Sequence, residues 1–187
     1  MAGSLKYIKG DATNPVDDGE IVIIHVVNDK NLWGSGFVLA LSAKWLEPEL
    51  WYRRWFGGAY KINGKRDKPA LGKVQLVPIT GTDIVVANLI GQHDVRTDPN
   101  GEPPIRYDAI ETGLKEIAAY CDQANASVHC PKFGADRAGG DWNQIEALIK
   151  SELIAHGIDV TVYEFDDPNS PSVSTGSDND TDDLMPF

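Results

Sequence analysis

The chain has 187 residues, 42% of them hydrophobic, and a formal net charge of −11. That length and apolar content suit one α/β domain with a full core and a tail. The acidic balance argues against a dominant, sequence-independent grip on nucleic-acid phosphates, and the longest apolar stretch, Ile21 to Val27, is too short to span a bilayer.

Leu5 to Lys9 reads as a short strand that follows Met1-Ala2-Gly3-Ser4 directly, so no leader is visible and a soluble cytoplasmic protein is expected. Gly10-Asp11-Ala12-Thr13-Asn14-Pro15 is turn material. Ile21 to Val27 is a continuous apolar run, as in a strand buried on both faces. Phe37 to Trp45 reads as a helix, interrupted at Glu47-Pro48 and resumed from Glu49 to Phe56. Its aromatics, Trp45, Trp51, Tyr52, Trp55 and Phe56, read as core packing with a partly exposed edge. Gly57 to Pro69 carries Lys61, Lys65, Arg66 and Lys68 and reads as a solvated basic loop.

Lys73 to Ile79 and Ile84 to Ile90 pair as an antiparallel hairpin around Thr80-Gly81-Thr82-Asp83. A loop runs from Gly91 to Pro103, and a helix begins at Pro104 with Tyr107, Ile110, Leu114, Ile117, Ala118 and Cys121 at helical spacing. Ser127 to Pro131 is a strand. Asp141-x-x-Gln144 is a capping box opening a helix that Gly157 stops, and Asp159 to Phe165 closes the domain as a strand. The order predicts a mixed sheet with helices on both faces, and ligands in such folds gather at the carboxyl ends of the strands. From Asp166 to Phe187 the chain has six acids and no Lys or Arg, so a disordered tail is expected and the body carries only −5 of the −11. Cys121 and Cys130 read as buried free thiols. No metal site is expected, because His25, His93, His129 and His156 lack ligand spacing with Cys or acids.

Two glycine-rich turns carry the strongest functional signal. Trp33-Gly34-Ser35-Gly36-Phe37 leaves one strand and opens a helix, and Lys132-Phe133-Gly134-Ala135-Asp136-Arg137-Ala138-Gly139-Gly140-Asp141-Trp142 does the same later in the chain. A helix start offers unpaired N–H groups and positive dipole, and glycine lets backbone approach a ligand closely. Two such turns suggest a clamp on a nucleotide diphosphate. Between strand and turn lie His25, read either as a core histidine or as an acid or base, and Asn28, suited to sugar hydroxyls.

Gly10-Asp11-x-Thr13, His25-Val26-Val27-Asn28, the Trp33 to Phe37 turn and the Pro131 to Trp142 segment together resemble a macrodomain over roughly Leu5 to Phe165. The resemblance is greatest to the branch of terminal ADP-ribose glycohydrolase and the yeast-type ADP-ribose-1″-phosphate phosphatase. It implies a three-layer α/β/α fold that binds ADP-ribose and needs no further cofactor. Asp11, with Ala12 beside it, would meet the adenine, and Phe165 would flank that pocket or pack in the core. Asn28 would face the distal ribose. Trp33, Gly34, Ser35, Gly36 and Phe37 would wrap that ribose and the diphosphate, and Gly134, Ala135, Asp136, Arg137, Ala138, Gly139 and Gly140 would hold the diphosphate from the other side. Two departures matter. Gln92 stands where the glycohydrolase pattern has a nucleophilic lysine, and Ala138 where it has a catalytic aspartate. Hydrolysis would then use water, with His25 or Asp136 as base and Asn28 orienting the substrate. A phosphatase or slow de-ADP-ribosylase is the leading expectation, a non-catalytic reader of ADP-ribose or a nucleotide-sequestering protein the alternatives.

The chain ends in Asp182-Asp183-Leu184-Met185-Pro186-Phe187, which resembles the C-terminal tip of bacterial single-stranded-DNA-binding proteins. That resemblance implies docking onto DNA-maintenance proteins. Phe187 would enter an apolar pocket beside Pro186, with Asp182, Asp183 and the terminal carboxylate on basic groups. Direct nucleic-acid binding by the body, and any membrane partner, are not expected.

Overall fold

A computed structural model describes residues 1–135 and 137–165; Asp136 and the tail from Asp166 onward lie outside the described residues. The elements follow the expected order. Strands β1 (Leu5–Lys9) and β2 (Ile21–Asn28) precede helices α1 (Phe37–Lys44) and α2 (Glu47–Phe56). A small hairpin, β3 (Lys61–Ile62) and β4 (Lys65–Arg66), leads to β5 (Val74–Pro78) and β6 (Ile84–Gln92). Then come α3 (Tyr107–Ala124), β7 (Ser127–Pro131), α4 (Trp142–Glu152) and β8 (Val160–Glu164).

Six strands form one sheet in the order β1-β8-β7-β2-β6-β5, all neighbours parallel except the edge strand β5. Parallel neighbours need crossovers, and helices placed on both faces bury both sides of the strands. The period of two along β2 divides it between two cores. Val22 and Ile24 pack with Ile110, Leu114, Ile145 and Ile149 of α3 and α4. Ile21, Ile23 and Val27 pack with Leu41, Tyr52 and Trp55 of α1 and α2. The continuous apolar run of β2 is thus a strand at the centre of an α/β/α sandwich. Cys121 and Cys130 are buried free thiols. Among the described residues no helix is long and apolar enough to cross a membrane.

A buried polar rung crosses the sheet. His25, Asn88 and Gln75 stand in register on β2, β6 and β5. The Asn88 amide donates to Gln75 Oε1 at 3.1 Å and to the Pro48 carbonyl at 3.0 Å, so its Oδ1 accepts from His25 Nε2 at 2.5 Å. Gln75 Nε2 donates to the Trp51 carbonyl at 3.0 Å. The rung therefore ties α2 to three strands through groups that water does not reach.

The structure corrects several sequence-based boundaries. Gln144 does not close a capping box: Asp141 caps α4 by accepting from Asn143 N, but its own N–H donates to the Tyr107 hydroxyl at 2.7 Å. α3 starts at Tyr107 rather than Pro104, because Ile105 bridges Gln92 and Arg106 N donates to the Gly91 carbonyl, holding both extended. α4 ends at Glu152, and a 3-10 turn, Ile154–His156, carries the chain to Gly157. The basic loop contains the β3–β4 hairpin. Phe165 is 65% exposed and so is not a core residue.

The rung gives a stability prediction. Asn88→Ala leaves the His25 N–H, Gln75 Oε1 and Pro48 carbonyl without their partner, which costs about 3 kcal/mol. Thermal unfolding followed by circular dichroism is expected to show Tm lower by about 6–12 °C; a shift below about 2 °C would mean the rung does not hold the sheet.

Candidate functional site

β2 and β7 are hydrogen-bonded only from Ile21 and Ser127 to Ile23 and His129. Beyond that both strands run on, to Asn28 and Pro131, without pairing each other. β2 then passes to α1 on one face and β7 to α4 on the other. This is the switch point of an open α/β sheet, where a ligand crevice opens beyond the carboxyl ends. The two glycine turns are the segments that leave the sheet here.

The first turn is fixed by side chains. Asn28 Oδ1 accepts from the backbone N–H groups of Lys30 and Leu32, both at 3.0 Å, and its amide donates to the Leu32 carbonyl at 2.6 Å. The Tyr52 hydroxyl donates to the Asn28 carbonyl at 2.7 Å. Asn28 is 4% exposed, so its side chain shapes the loop rather than presenting itself. Trp33 Nε1 donates to Ser42 Oγ at 2.9 Å, and Ser42 Oγ donates to Glu49 Oε2 at 2.9 Å. Glu49 Oε1 accepts from Arg53 at 3.2 Å, and Arg53 reaches back to the Asn31 and Trp33 carbonyls. This closed ring locks the turn onto the α1–α2 corner. Gly34, Ser35 and Gly36 stand exposed. Gly36 is the N-cap of α1 at φ 78°, a conformation that glycine adopts without strain, and no side chain caps the helix.

The second turn closes on itself. Gly140 N donates to the Gly134 carbonyl at 2.9 Å, and a Cβ on Gly140 would sit 2.4 Å from that oxygen, so only glycine fits there. The buried Ala138 gives its carbonyl to Ile105 N at 3.0 Å. The two turns meet: Arg137 Cδ lies 3.7 Å from where a Cβ on Gly36 would stand. Ala135 and Gly139 lie on the same turn. Asp136 is outside the described residues.

Asp11 Oδ1 accepts from Thr13 N at 2.8 Å in an Asx-type turn, with Ala12 buried behind it. Lys44, at the end of α1, donates to the Thr13 carbonyl and to Asn14 Oδ1, tying this turn to the same helix. His25 does not line the crevice. It is 1% exposed, its ring lies 5.5 Å from that of Trp33 and 6.0 Å from that of Phe37, and Nδ1 has no hydrogen-bond partner. Burial pushes its pKa down to about 4, so it supports the first turn as a neutral ring.

Sequence reasoning missed the Ser42, Glu49 and Arg53 ring; only the i,i+4 spacing of Glu49 and Arg53 hinted at it. It also missed Asp29 and His93, which are 64 residues apart in sequence and leave no local signal. Asp29 Oδ2 lies 2.6 Å from His93 Nδ1, and Oδ1 accepts from Asp94 N at 2.9 Å. Burial works to raise the Asp29 carboxyl, but the Asp94 N–H and His93 hold it below its ordinary value. Gln92, beside this pair, donates from Nε2 to the Asp94 carbonyl at 3.1 Å. Two open hollows of about 350 and 220 Å³ lie away from the glycine turns. The first is lined by Asp17, Asp18 and Asp83 with Lys44, the second by Asp122 and Asp159 with His156. Those acids make both poor sites for a diphosphate.

No model of a known protein family matches the chain. The chain is 47% identical to a protein of unknown function from Bacteroides thetaiotaomicron, with a TM-score of 0.80 over 87% of this chain and 99% of that one. It is 40% identical to a macrodomain protein from Streptomyces coelicolor, with a TM-score of 0.72 over 86% of this chain and 99% of that one. The mouse Chromodomain-helicase-DNA-binding protein 1-like is 34% identical over 87% of this chain, which spans only 18% of that protein. At 14% identity, Thermosipho africanus DarTG in complex with ADP-ribose shares the fold, with a TM-score of 0.59 over 76% of this chain and 37% of that one.

The burial of His25 makes stability depend on pH. Folded His25 stays neutral down to about pH 4, whereas an unfolded histidine takes up a proton below about pH 6.5. The unfolded chain therefore binds the extra proton between those values; the stabilisation is full above the window and lost as pH falls through it. His25→Gln is expected to abolish this part of the acid sensitivity. Urea unfolding at pH 7 and 4.5 should show the wild type losing about 2–3 kcal/mol more than the variant. Equal losses would contradict a neutral buried His25.

Proposed function

The chain belongs to the macrodomain family, and from that premise we propose that the β2–β7 crevice binds ADP-ribose and hydrolyses an ADP-ribose derivative. The observation that carries this reading is the meeting of the two glycine turns, Gly36 against Arg137, at the uncapped start of α1. A diphosphate held there takes N–H donors and dipole from α1 on one side and the Gly134 to Gly140 backbone on the other. Asp11 accepts from the adenine amine through Oδ2, since Oδ1 is engaged by Thr13. The Thermosipho protein's ADP-ribose complex supports the choice of ligand through a shared fold.

Water is the attacking group in this reading. Gln92 carries an amide and cannot form the covalent adduct that a lysine forms, and Ala138 has no carboxylate. Asp136 is the acid that the sequence places in the second turn, and we assign it the proton taken from water as the water oxygen bonds to the distal ribose carbon or to phosphorus and the bond between ribose and phosphate, protein or nucleic acid breaks, the departing group taking up that proton. Asn28 holds the loop that faces the distal ribose, and His25 packs beneath it. The engagement of Asn28 by its own loop favours a second reading, a reader or sequestering module that binds without turnover. Independently of the crevice, the Asp182, Asp183, Pro186 and Phe187 tip docks onto a DNA-maintenance protein that offers an apolar pocket rimmed by basic groups.

Calorimetric titration with ADP-ribose is expected to give micromolar binding, weakened at least tenfold, or about 1.4 kcal/mol, by Asp11→Ala and by Gly36→Val. Absence of heat in the wild type would sink the ADP-ribose site. Asp136→Asn is expected to stop release of phosphate from ADP-ribose-1″-phosphate, or of ADP-ribose from a modified protein or oligonucleotide, while keeping affinity. No product from the wild type would leave the reader as the function.

A further inference from the structure

We propose that the β3–β4 hairpin is a docking surface for a nucleic-acid backbone. Seven of the chain's 17 Lys and Arg fall between Arg53 and Lys73, against one acid, Asp67. Two of the seven are paired among the described residues, Arg53 with Glu49 and Lys73 with Asp67. Arg54, Lys61, Lys65, Arg66 and Lys68 are exposed and form no ion pair among the described residues. The exclusion drawn from net charge does not reach this segment. Screening confines each charge to about 8–10 Å at physiological ionic strength, so cations on one small hairpin act together while distant acids drop out.

The hairpin is built in spite of its charges. Lys61 stands directly opposite Arg66 on the antiparallel ladder. Like charges in that position destabilise a pair of strands. What holds the hairpin is elsewhere. Asn63 and Gly64 both have positive φ, as a two-residue hairpin turn requires. Asp67 accepts from Trp55 Nε1 at 2.8 Å and from Lys73, and Tyr60 packs its ring against Trp51 and Trp55. This buttressed element sets cation against cation and has no electrostatic complement among the described residues.

The shape of the patch favours nucleic acid over an acidic protein. Protein interfaces draw much of their affinity from buried anchors, and the only large apolar side chain on the two strands, Ile62, is 46% exposed. A grip on phosphates needs only clustered cations. The segment that follows the hairpin is anchored near the carboxyl end of β6, since Asp67 pairs with Lys73 and the Lys73 carbonyl accepts from Ile90 N at 3.0 Å. The inference goes beyond the ADP-ribose reading and stands without it.

The test is fluorescence anisotropy of a labelled single-stranded oligonucleotide, about 20 nucleotides long, with the full chain at about 50 mM salt. The expected result is saturable binding that weakens with salt, drops at least tenfold in a Lys61→Glu/Lys65→Glu/Arg66→Glu variant, and is unchanged by saturating ADP-ribose. A Lys61→Gln/Lys65→Gln/Lys68→Gln variant that melts like the wild type is expected to lower the salt slope by about one for each cation removed. No binding at low salt, or binding that both variants retain, would overturn the proposal. Equal binding of polyglutamate would overturn it too, by making the partner an acidic protein.

Discussion

The early end of the pairing between β2 and β7 is the constraint on which the rest of the site depends. Three residue pairs join these strands, and then each continues with its outer neighbour only, β2 with β6 and β7 with β8, toward helices on opposite faces of the sheet. The unpaired backbone beyond Ile23 and His129 needs partners, because buried N–H and C=O groups are costly when unmade. β2 keeps its pairing with β6 as far as Asn28 and Gln92, so it stays rigid while its other edge opens. A crevice forms because the two strands there each keep a neighbour on their outer side only.

The chain treats its helix starts unequally around that crevice. α4 is capped by Asp141, whose side chain accepts from Asn143 N, and Tyr107 takes the Asp141 N–H. α1 begins at Gly36 with no side-chain cap and no acid in its first turn. A polar cap is worth about 1 kcal/mol, so stability is forgone at α1 where it is taken at α4. The surrounding hydrogen bonds show that this start is not loose. Trp33, Ser42, Glu49 and Arg53 hold the preceding loop, and Asn28 folds it from within. A rigid loop that ends in an unsatisfied helix terminus is suited to an anion, because the donors are already in place when the ligand arrives.

The six strands of the main sheet, the four helices and both glycine turns were legible in the sequence because local rules set them: apolar runs for β2, helical spacing for α3, glycine where φ is positive; the short β3–β4 hairpin was not. Boundaries that tertiary contacts set were not. Ile105 and Arg106 stay extended because Gln92 and Gly91 bond them, and Tyr107 displaces Gln144 from the capping box. The same holds for the site. In the candidate site, the turns at Asp11, Gly36 and Gly140 could be read from motif and turn chemistry. The pairing of Asp29 with His93 could not, since 64 residues separate them and only the adjacency of β2 and β6 unites them. His25 was ambiguous from sequence, because an apolar strand suits a core ring and a strand end suits a catalyst. Its bond to Asn88 and its burial make it a support for the turn above it.

The central claim is that the two glycine turns form one anion site. Its most direct test is an amide ¹H–¹⁵N chemical-shift map recorded while ADP-ribose is added to the isotope-labelled chain. The account predicts that the largest shifts fall together on Ser35 to Val38 and on Gly134 to Gly140, with a smaller set at Asp11 to Thr13. Shifts confined to one turn, or centred on the hollow at Asp17, Asp18 and Asp83, would contradict it.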